Sequence, residues 1–133
     1  MIGILNKGVN MATVLLSIKP KYVQKILDGT KRYEYRKVNF ARRIDKIIIY
    51  SSYPVKKIVG QAKVGNVIVE DIDSVWNKTN LYSGTTKEFF YQYYNGKKNA
   101  IALELLNVEK YEEPKELKDF NILFAPQSFV YLD

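Results

Sequence analysis

The sequence predicts an α+β fold, a small curled antiparallel β-barrel with two short flanking helices. Most of its patterned segments are rich in β-branched residues or alternate with a period of two, as strands do. Two other segments carry apolar residues at helical spacing. Gly60 and Gly65 interrupt the longest strand pattern, where glycines favour the bends or bulges that curl a sheet into a barrel.

The first half of the chain predicts a strand, a helix and two further strands. Residues 12–18, ATVLLSI, form a buried strand. A helix over residues 20–28 follows, because a proline suits its first turn and Gly29 favours its end. Residues 31–37, KRYEYRK, alternate as a second strand, and the apolar run 46–52 is the third. The faces of the second strand carry Arg32, Glu34 and Arg36 on one side and Tyr33 and Tyr35 on the other.

The second half predicts three more strands and one helix. Residues 56–72 read as a long strand, residues 99–111 alternate again, and residues 127–132 form a final edge strand. Capping-box spacing predicts a helix over residues 86–95, and Trp76 lies in or near another helical turn. The aromatic stripe of this helix is predicted to pack in the core rather than to stack on bases: Phe89, Phe90, Tyr93 and Tyr94. Tyr33 and Tyr35 are likewise interpreted as core or barrel-wall residues.

Length and composition restrict the class of protein. The 133 residues are predicted to form one domain over residues 12–133, with residues 1–11 as an N-terminal extension that need not be ordered, and Met11 is an alternative start. No apolar run approaches the 18 residues or so of a membrane span, and residues 1–10 make a poor signal peptide. The simplest interpretation is a cytoplasmic protein without disulfides.

Two residue types are absent, and their absence restricts the chemistry. Without cysteine or histidine, the chain has no thiolate nucleophile, no Ser-His-Asp triad, and no sulfur or imidazole ligand for a metal. We therefore predict no metal site and no cofactor. Proton transfer near neutral pH would need a carboxylate, a tyrosine or a lysine whose pKa is shifted.

The positive charge is concentrated in one part of the chain. Residues 17–63 hold thirteen Lys and Arg against three acids, whereas residues 64–133 hold seven against eleven. Such a distribution favours a surface that meets a polyanion, and chance clustering on a solvated face is the alternative. General phosphate-backbone contacts are predicted for Arg42, Arg43, Lys46, Lys56 and Lys57.

The stretch GTKRYEYRK, residues 29–37, combines the parts of a nucleotide site. Arginine binds phosphates or base edges through its planar fork, and a carboxylate accepts from a base amino group. On this basis Lys31, Glu34 and Arg36 are the central candidates. The alternative is an ordinary ion pair between Glu34 and Arg36, which share a strand face.

The motif G-x-K-x-x-E-x-R, formed here by Gly29, Lys31, Glu34 and Arg36, resembles that of the ASCH domain family, which is related to the PUA fold. The order of the segments around it strengthens the resemblance, which extends from about Val14 onward: SIKP before the helix, YSSYPVKKIVG, FYQYYNG and APQSF. The resemblance implies a small β-barrel that binds RNA or processes it.

Enzymes are also found among proteins similar to this family. A subgroup that hydrolyses an acyl amide from a modified cytidine has the motif G-x-K-x-x-T-x-R, with catalytic lysine and threonine and a helper glutamate downstream. Lys31 matches that lysine, whereas Glu34 replaces the threonine, and the helper glutamate has no clear counterpart. If this chain is an enzyme, the resemblance implies a metal-independent hydrolase that uses Lys31 and Glu34.

Three functions remain open from the sequence. The first is a module that binds RNA or a nucleotide in a basic cleft lined by Lys19, Lys31, Glu34, Arg36, Tyr50 and Ser51. The second is a small hydrolase acting on a modified nucleoside or on RNA. The third is a domain that binds a protein partner and whose cleft is vestigial.

Overall fold

The computed structural model describes residues 11–132, and the predicted N-terminal extension lies almost wholly outside them. The six strands of this part are β1 (Ala12–Ile18), β2 (Tyr33–Arg36), β3 (Ile44–Ser51), β4 (Lys57–Asp71), β5 (Asn99–Lys115) and β6 (Phe129–Leu132). Its helices are α1 (Pro20–Asp28), α2 (Ile72–Thr79) and α3 (Lys87–Tyr93), with short 3-10 helices at Asn80–Tyr82 and Leu117–Phe120. No helix in this part is long and apolar enough to cross a membrane.

The strands form one mixed sheet in the order β2-β5-β4-β3-β1-β6. The prediction of an antiparallel sheet is wrong for β1 and β3, which pair in parallel from Ala12 and Ile44 onward. Helix α1 and strand β2 supply the long crossover connection that a parallel pair requires. The sheet is not closed into a barrel, because β2 and β6 form its two edges over residues 11–132. A side-chain hydrogen bond from Arg36, at the end of β2, to Ser128, just before β6, links those edges.

Strand β4 has register shifts near Gly60 and Gly65, where the sequence predicted bends or bulges. The pairing of β4 with β5 shifts between Ile58 and Gly60 and again between Val64 and Val67, on either side of Gly65. A Cβ at Gly60 would lie 2.5 Å from the Glu109 carbonyl oxygen, so this crossing of the two strands requires glycine. Strand β5 continues to Lys115, four residues beyond the predicted strand over 99–111.

Helix α1 begins and ends as its sequence predicts, whereas α3 spans Lys87–Tyr93 and is shorter than the predicted 86–95. Helix α1 begins with Pro20 and ends at Gly29, whose φ of +86° is a left-handed conformation that favours glycine. The Thr86 side chain caps α3 by accepting from the Phe89 N–H. Helix α2 is longer than the single turn expected around Trp76, and the Asp71 carboxylate caps it by accepting from the Ser74 N–H.

Buried apolar side chains form separate clusters on the two faces of the sheet. Val14, Leu16 and Ile18 of β1 pack beneath α1, whereas Leu15 points to the opposite face with Ile48. A third cluster joins Tyr35 of β2 to the aromatic residues of α3. The candidate site lies where α1, β2 and α3 meet.

Candidate functional site

A cavity of about 190 Å³ lies between the end of β1, the first turn of α1, strand β2 and helix α3. Its polar lining consists of Ser17, Lys19, Lys31, Glu34, Arg36 and Thr85. Its apolar lining is mostly aromatic: Ile18, Tyr22, Tyr35, Phe89, Phe90 and Tyr93. Among the described lining residues, three are cations and one is a carboxylate.

Lys31 is the most unusual of these residues because it is a buried amine. Only 3% of it is exposed, and its backbone N–H donates to the Lys25 carbonyl at the end of α1. Its Nζ donates to the Ser83 carbonyl oxygen at 2.7 Å and lies 4.6 Å from the centre of the Tyr35 ring. The end of α1, one carbonyl group and an aromatic ring thus hold the Lys31 side chain in place. In this position it is able to contact a ligand in the cavity.

Burial lowers the pKa of Lys31 to about 8, the Glu34 carboxylate opposes this effect, and Lys25 adds to it. Neither Arg32 nor Arg36 is among the causes of this shift. The Arg32 guanidinium lies 4.0 Å from the Tyr82 ring centre instead, outside the cavity lining. Burial is the main cause of the lowered pKa, because it penalises the charged ammonium more than the neutral amine.

Gly84 leaves room for the lysine side chain. A Cβ at this position would lie 2.6–2.8 Å from Cβ, Cγ and Cδ of Lys31, and its φ is +71°. Both the close approach and the left-handed backbone favour glycine. The loop Ser83–Thr85 therefore packs on Lys31 with its backbone while the Ser83 carbonyl accepts from Nζ.

Glu34 and Arg36 form a partly buried ion pair at the cavity wall. Arg36 Nη1 lies 3.0 Å from Glu34 Oε2, and the two side chains are 12% and 9% exposed. The other terminal nitrogen of Arg36 donates to Ser128. The pair is thus held from both sides. One carboxylate oxygen of Glu34 accepts a hydrogen bond from Arg36, and lone pairs remain available to a ligand.

The aromatic walls come from α1, β2 and α3. Phe89 and Tyr93 are nearly parallel, with ring centres 6.4 Å apart and planes at 15°. Tyr22 faces Phe89 from α1 at 6.2 Å. Phe90 and Tyr94 are buried, as predicted, but 39% of Phe89 is exposed, so the prediction of core packing is wrong for Phe89.

The hydroxyl groups of two buried tyrosines, Tyr35 and Tyr94, make hydrogen bonds that hold the cavity walls in place. Tyr35 donates to Thr79 Oγ1 at 2.7 Å, because that threonine donates its own proton to the Val75 carbonyl. Burial raises the pKa of Tyr35 to about 12, so its hydroxyl stays protonated at neutral pH. The Tyr94 hydroxyl reaches the carbonyl oxygens of Arg36 and Ile101 at 2.8 and 3.1 Å and thus ties α3 to β2 and β5.

Four of the six predicted ligand-binding residues line the cavity, and two lie elsewhere. Lys19, Lys31, Glu34 and Arg36 come together. Tyr50 packs with Leu15 and Ile58 in the cluster on the other face of the sheet. Ser51 is buried at the end of β3 and is not part of the lining.

The predicted phosphate-backbone residues are spread over the molecule. Arg42 and Arg43 precede β3 at the end of the sheet where β1 begins, and Arg43 accepts a hydrogen bond from Ala12. The cavity lies at the opposite end of β1. Lys56 is exposed in the turn after β3, and Lys57 forms an ion pair with Glu116.

Three lining residues were not among the candidates predicted from the sequence: Ser17, Tyr22 and Thr85. Tyr22 follows the SIKP segment and is a partly buried aromatic residue of α1, so its place in the sequence was a usable signal. The contribution of Thr85 depends on the packing of the 80–86 segment against Lys31, which no local pattern predicts. No group of three or more carboxylates that could hold a metal ion is found within residues 11–132.

An open mixed sheet, with helices packed around a cavity that has aromatic walls, defines a small α+β domain. The ASCH domain family matches residues 16–115. The chain belongs to this family.

A crystal structure of ASCH from Zymomonas mobilis shares the fold, with a TM-score of 0.83 and 24% identity over 91% of this chain and 87% of that one. An ASCH domain-containing ribonuclease of Zymomonas mobilis is 24% identical over 89% of this chain and 82% of its own length. Large ribosomal subunit protein uL22 of Ureaplasma parvum is 31% identical over 90% of this chain. ATP synthase subunit alpha of the same organism is 32% identical over 93%. The chain spans only 39% and 16% of the lengths of those last two relatives.

Proposed function

We propose that the cavity binds a nucleobase of RNA or of a nucleotide. The observation that carries this proposal is a buried carboxylate, held by Arg36, at the wall of a cavity that is otherwise largely aromatic. Aromatic side chains stack on base faces, and carboxylates accept from base amino groups such as cytosine N4. Lys31 adds an ammonium, which has donors left for a base carbonyl after its bond to Ser83.

The size of the cavity favours a base over a whole nucleotide. Its volume of about 190 Å³ slightly exceeds the roughly 150 Å³ of a protein cavity that accepts benzene. It is smaller than the roughly 300–1,000 Å³ of sites for drug-sized ligands. A planar ring with its exocyclic groups therefore fits inside, while sugar and phosphate stay outside.

The names of two relatives support RNA as the source of the base. One is a ribonuclease and the other is a protein of the large ribosomal subunit. Three cations in the cavity lining agree with a polyanionic ligand: Lys19, Lys31 and Arg36.

The test is the affinity for short single-stranded RNAs of the wild type, of Glu34→Gln and of the control Glu70→Gln. Both glutamates form ion pairs, Glu34 with Arg36 in the cavity wall and Glu70 with Lys78 on the exposed surface. We expect Glu34→Gln to lower the affinity about tenfold or more, because each good pairing to a base edge is worth about 1–3 kcal/mol. Glu70→Gln should bind like the wild type. Equal affinities of all three proteins would contradict the proposal.

A hydrolase acting on RNA or on a modified nucleoside is the second candidate, and Lys31 favours it. With a pKa of about 8, about one-tenth of this amine is neutral at pH 7. The neutral amine can take a proton from a ribose 2′-hydroxyl or from water, and Arg36 can stabilise the negative charge that develops.

The pH dependence of turnover tests this second function. We expect cleavage of single-stranded RNA or acylated cytidine to rise with pH and to level off above about pH 8, where Lys31 is neutral. Lys31→Met should abolish turnover. Glu34→Gln should move the levelling-off to lower pH, because Glu34 holds this pKa up. The absence of product with the intact protein, or a rate that falls between pH 7 and pH 8.5, would exclude the hydrolase.

A further inference from the structure

An open groove of about 590 Å³ lies beside the cavity, between α1 and the segment that leads into α3. Lys21 and Lys25 of α1 line one side, and Leu81, Gly84 and Thr86 line the other. Its volume lies within the range of about 300–1,000 Å³ that accepts whole small molecules. The groove therefore has room for much more than a single phosphate.

The groove adjoins the cavity, and three side chains line both spaces: Tyr22, Thr85 and Phe89. A base in the cavity would therefore leave its sugar and phosphate at the boundary that these residues form. A longer ligand would continue from this boundary into the groove, along α1.

Charge and exposed apolar surface in the groove match a nucleotide. Among the described lining residues there are two lysines and no carboxylate. Lys21 Nζ lies 5.0 Å from the Tyr22 ring centre and 5.5 Å from that of Phe89, so a cation stands directly above the shared aromatic wall. Leu81 is 87% exposed and Phe89 39% exposed. The nearby Asp28 carboxylate already accepts from the N–H and hydroxyl of Thr30.

We infer that the groove binds the nucleotide adjacent to the one whose base enters the cavity. The ligand class is then a single-stranded oligonucleotide of at least two nucleotides rather than a free nucleoside or mononucleotide. Lys21 contacts the bridging phosphate, and Phe89 packs against the second nucleoside. This inference rests on the proposed base site and deepens it.

The experiment is an NMR titration of the full chain with each of the four ribonucleosides, their 3′- and 5′-monophosphates, and dinucleotides that contain the base bound most tightly. We expect the dinucleotide to bind about tenfold or more tightly than the monophosphate, because an additional stacked base contributes. The nucleoside should shift the amide signals of Lys31 and Glu34, and the dinucleotide should shift those of Gly84 and Thr86 as well.

Lys21→Ala and the control Lys118→Ala distinguish a phosphate contact in the groove from the general effect of removing one positive charge. Lys118 is exposed on the 3-10 helix that packs against the other face of the sheet. For the dinucleotide, Lys21→Ala should reduce the slope of log affinity against log salt by about 0.7, which is the value for one phosphate contact on a single strand. It should leave nucleoside binding unchanged, and Lys118→Ala should change neither quantity.

The outcomes distinguish the two proposals. Nucleoside shifts at the cavity, with a dinucleotide that binds no tighter than the monophosphate, would overturn the groove alone. Equal effects of Lys21→Ala and Lys118→Ala would do the same. The absence of cavity shifts with every ribonucleoside and dinucleotide would overturn the base site, and the groove assignment with it.

Discussion

Lys31 makes the stability of the fold depend on pH in a particular direction. Its pKa is lowered from 10.5 to about 8 in the folded chain, with burial as the first cause. Between these two values the unfolded chain holds a proton that the folded chain has released, so the free energy of unfolding rises with pH. The penalty for burying the ammonium is fully present below pH 8 and disappears as the pH approaches 10.5.

We predict that the free energy of unfolding of the wild type, relative to Lys31→Met, rises by about 2 kcal/mol between pH 7.5 and pH 9.5. Methionine fills a similar volume without a titrating group. Urea denaturation of both proteins across this range measures the difference, in which effects from the tyrosines cancel. A difference that stays constant with pH would contradict the lowered pKa.

Gly84 gives a second prediction at the level of single residues. Gly84→Ala should lower the free energy of unfolding by about 1–3 kcal/mol more than Gly96→Ala does. Both glycines have a positive φ, +71° and +82°, but a Cβ at Gly96 would meet nothing within 4 Å, whereas one at Gly84 would meet Lys31. Gly96→Ala thus measures the backbone cost alone, and equal losses would show that Lys31 moves aside freely.

At this scale the sequence predicted the charged residues of the site better than its walls. Lys31, Glu34 and Arg36 follow one helix end at fixed spacing, so local structure brings them to one place. Tyr50 had no comparable constraint, since the direction of a side chain in a doubly buried strand depends on the faces of the whole sheet. The neighbours of Lys31 in the 80–86 segment are about fifty residues away in sequence.

Among the structural elements, helix α3 is held to the sheet by apolar packing of Phe90 and by tyrosine hydroxyls, of which that of Tyr94 makes the shorter hydrogen bonds. Tyr94 follows α3, and its hydroxyl reaches the Arg36 carbonyl at 2.8 Å and the Ile101 carbonyl at 3.1 Å. We predict that Tyr94→Phe lowers the free energy of unfolding by about 1–3 kcal/mol, because partly buried carbonyl groups lose their partner. Urea denaturation measures this loss.

Tyr91→Phe on the same helix is the matched control. Its hydroxyl contacts the exposed Asp73 carboxylate, so the loss should stay within about 0.5 kcal/mol. If Tyr94→Phe proves as mild as Tyr91→Phe, this hydroxyl does not anchor α3.

The strands were largely predictable as elements, but their pairing was not. The bounds of β1 agree with the apolar run ATVLLSI, and Gly29 marks the end of α1. The continuous apolar runs of β1 and β3 were also a signal of parallel pairing, because strands buried on both faces lose the alternation of polar and apolar residues. That signal was interpreted as ordinary burial in an antiparallel barrel.

For the whole molecule, the cations of the basic first half of the sequence lie at both ends of strand β1. Arg43 accepts from Ala12 at the start of β1, and Ser17 and Ile18 at its end line the cavity. A strand of seven residues places these two sites about 20 Å apart at roughly 3.3 Å per residue. A short ligand therefore cannot contact both.

We predict that Arg43→Ala leaves the affinity for a dinucleotide or tetranucleotide within twofold of the wild type, whereas Lys19→Ala, at the cavity rim, weakens it about fivefold or more. Fluorescence anisotropy with labelled RNAs measures both. A loss with Arg43→Ala as large as that with Lys19→Ala would mean that short strands bind at the opposite end of the sheet.

The most direct test of the base site is a crystal structure of the chain with a short single-stranded RNA. The account predicts a base in the cavity, stacked against Phe89 or Tyr93, with an amino group within hydrogen-bonding distance of the Glu34 carboxylate. RNA bound at any other surface, with the cavity closed by its own side chains, would contradict the account.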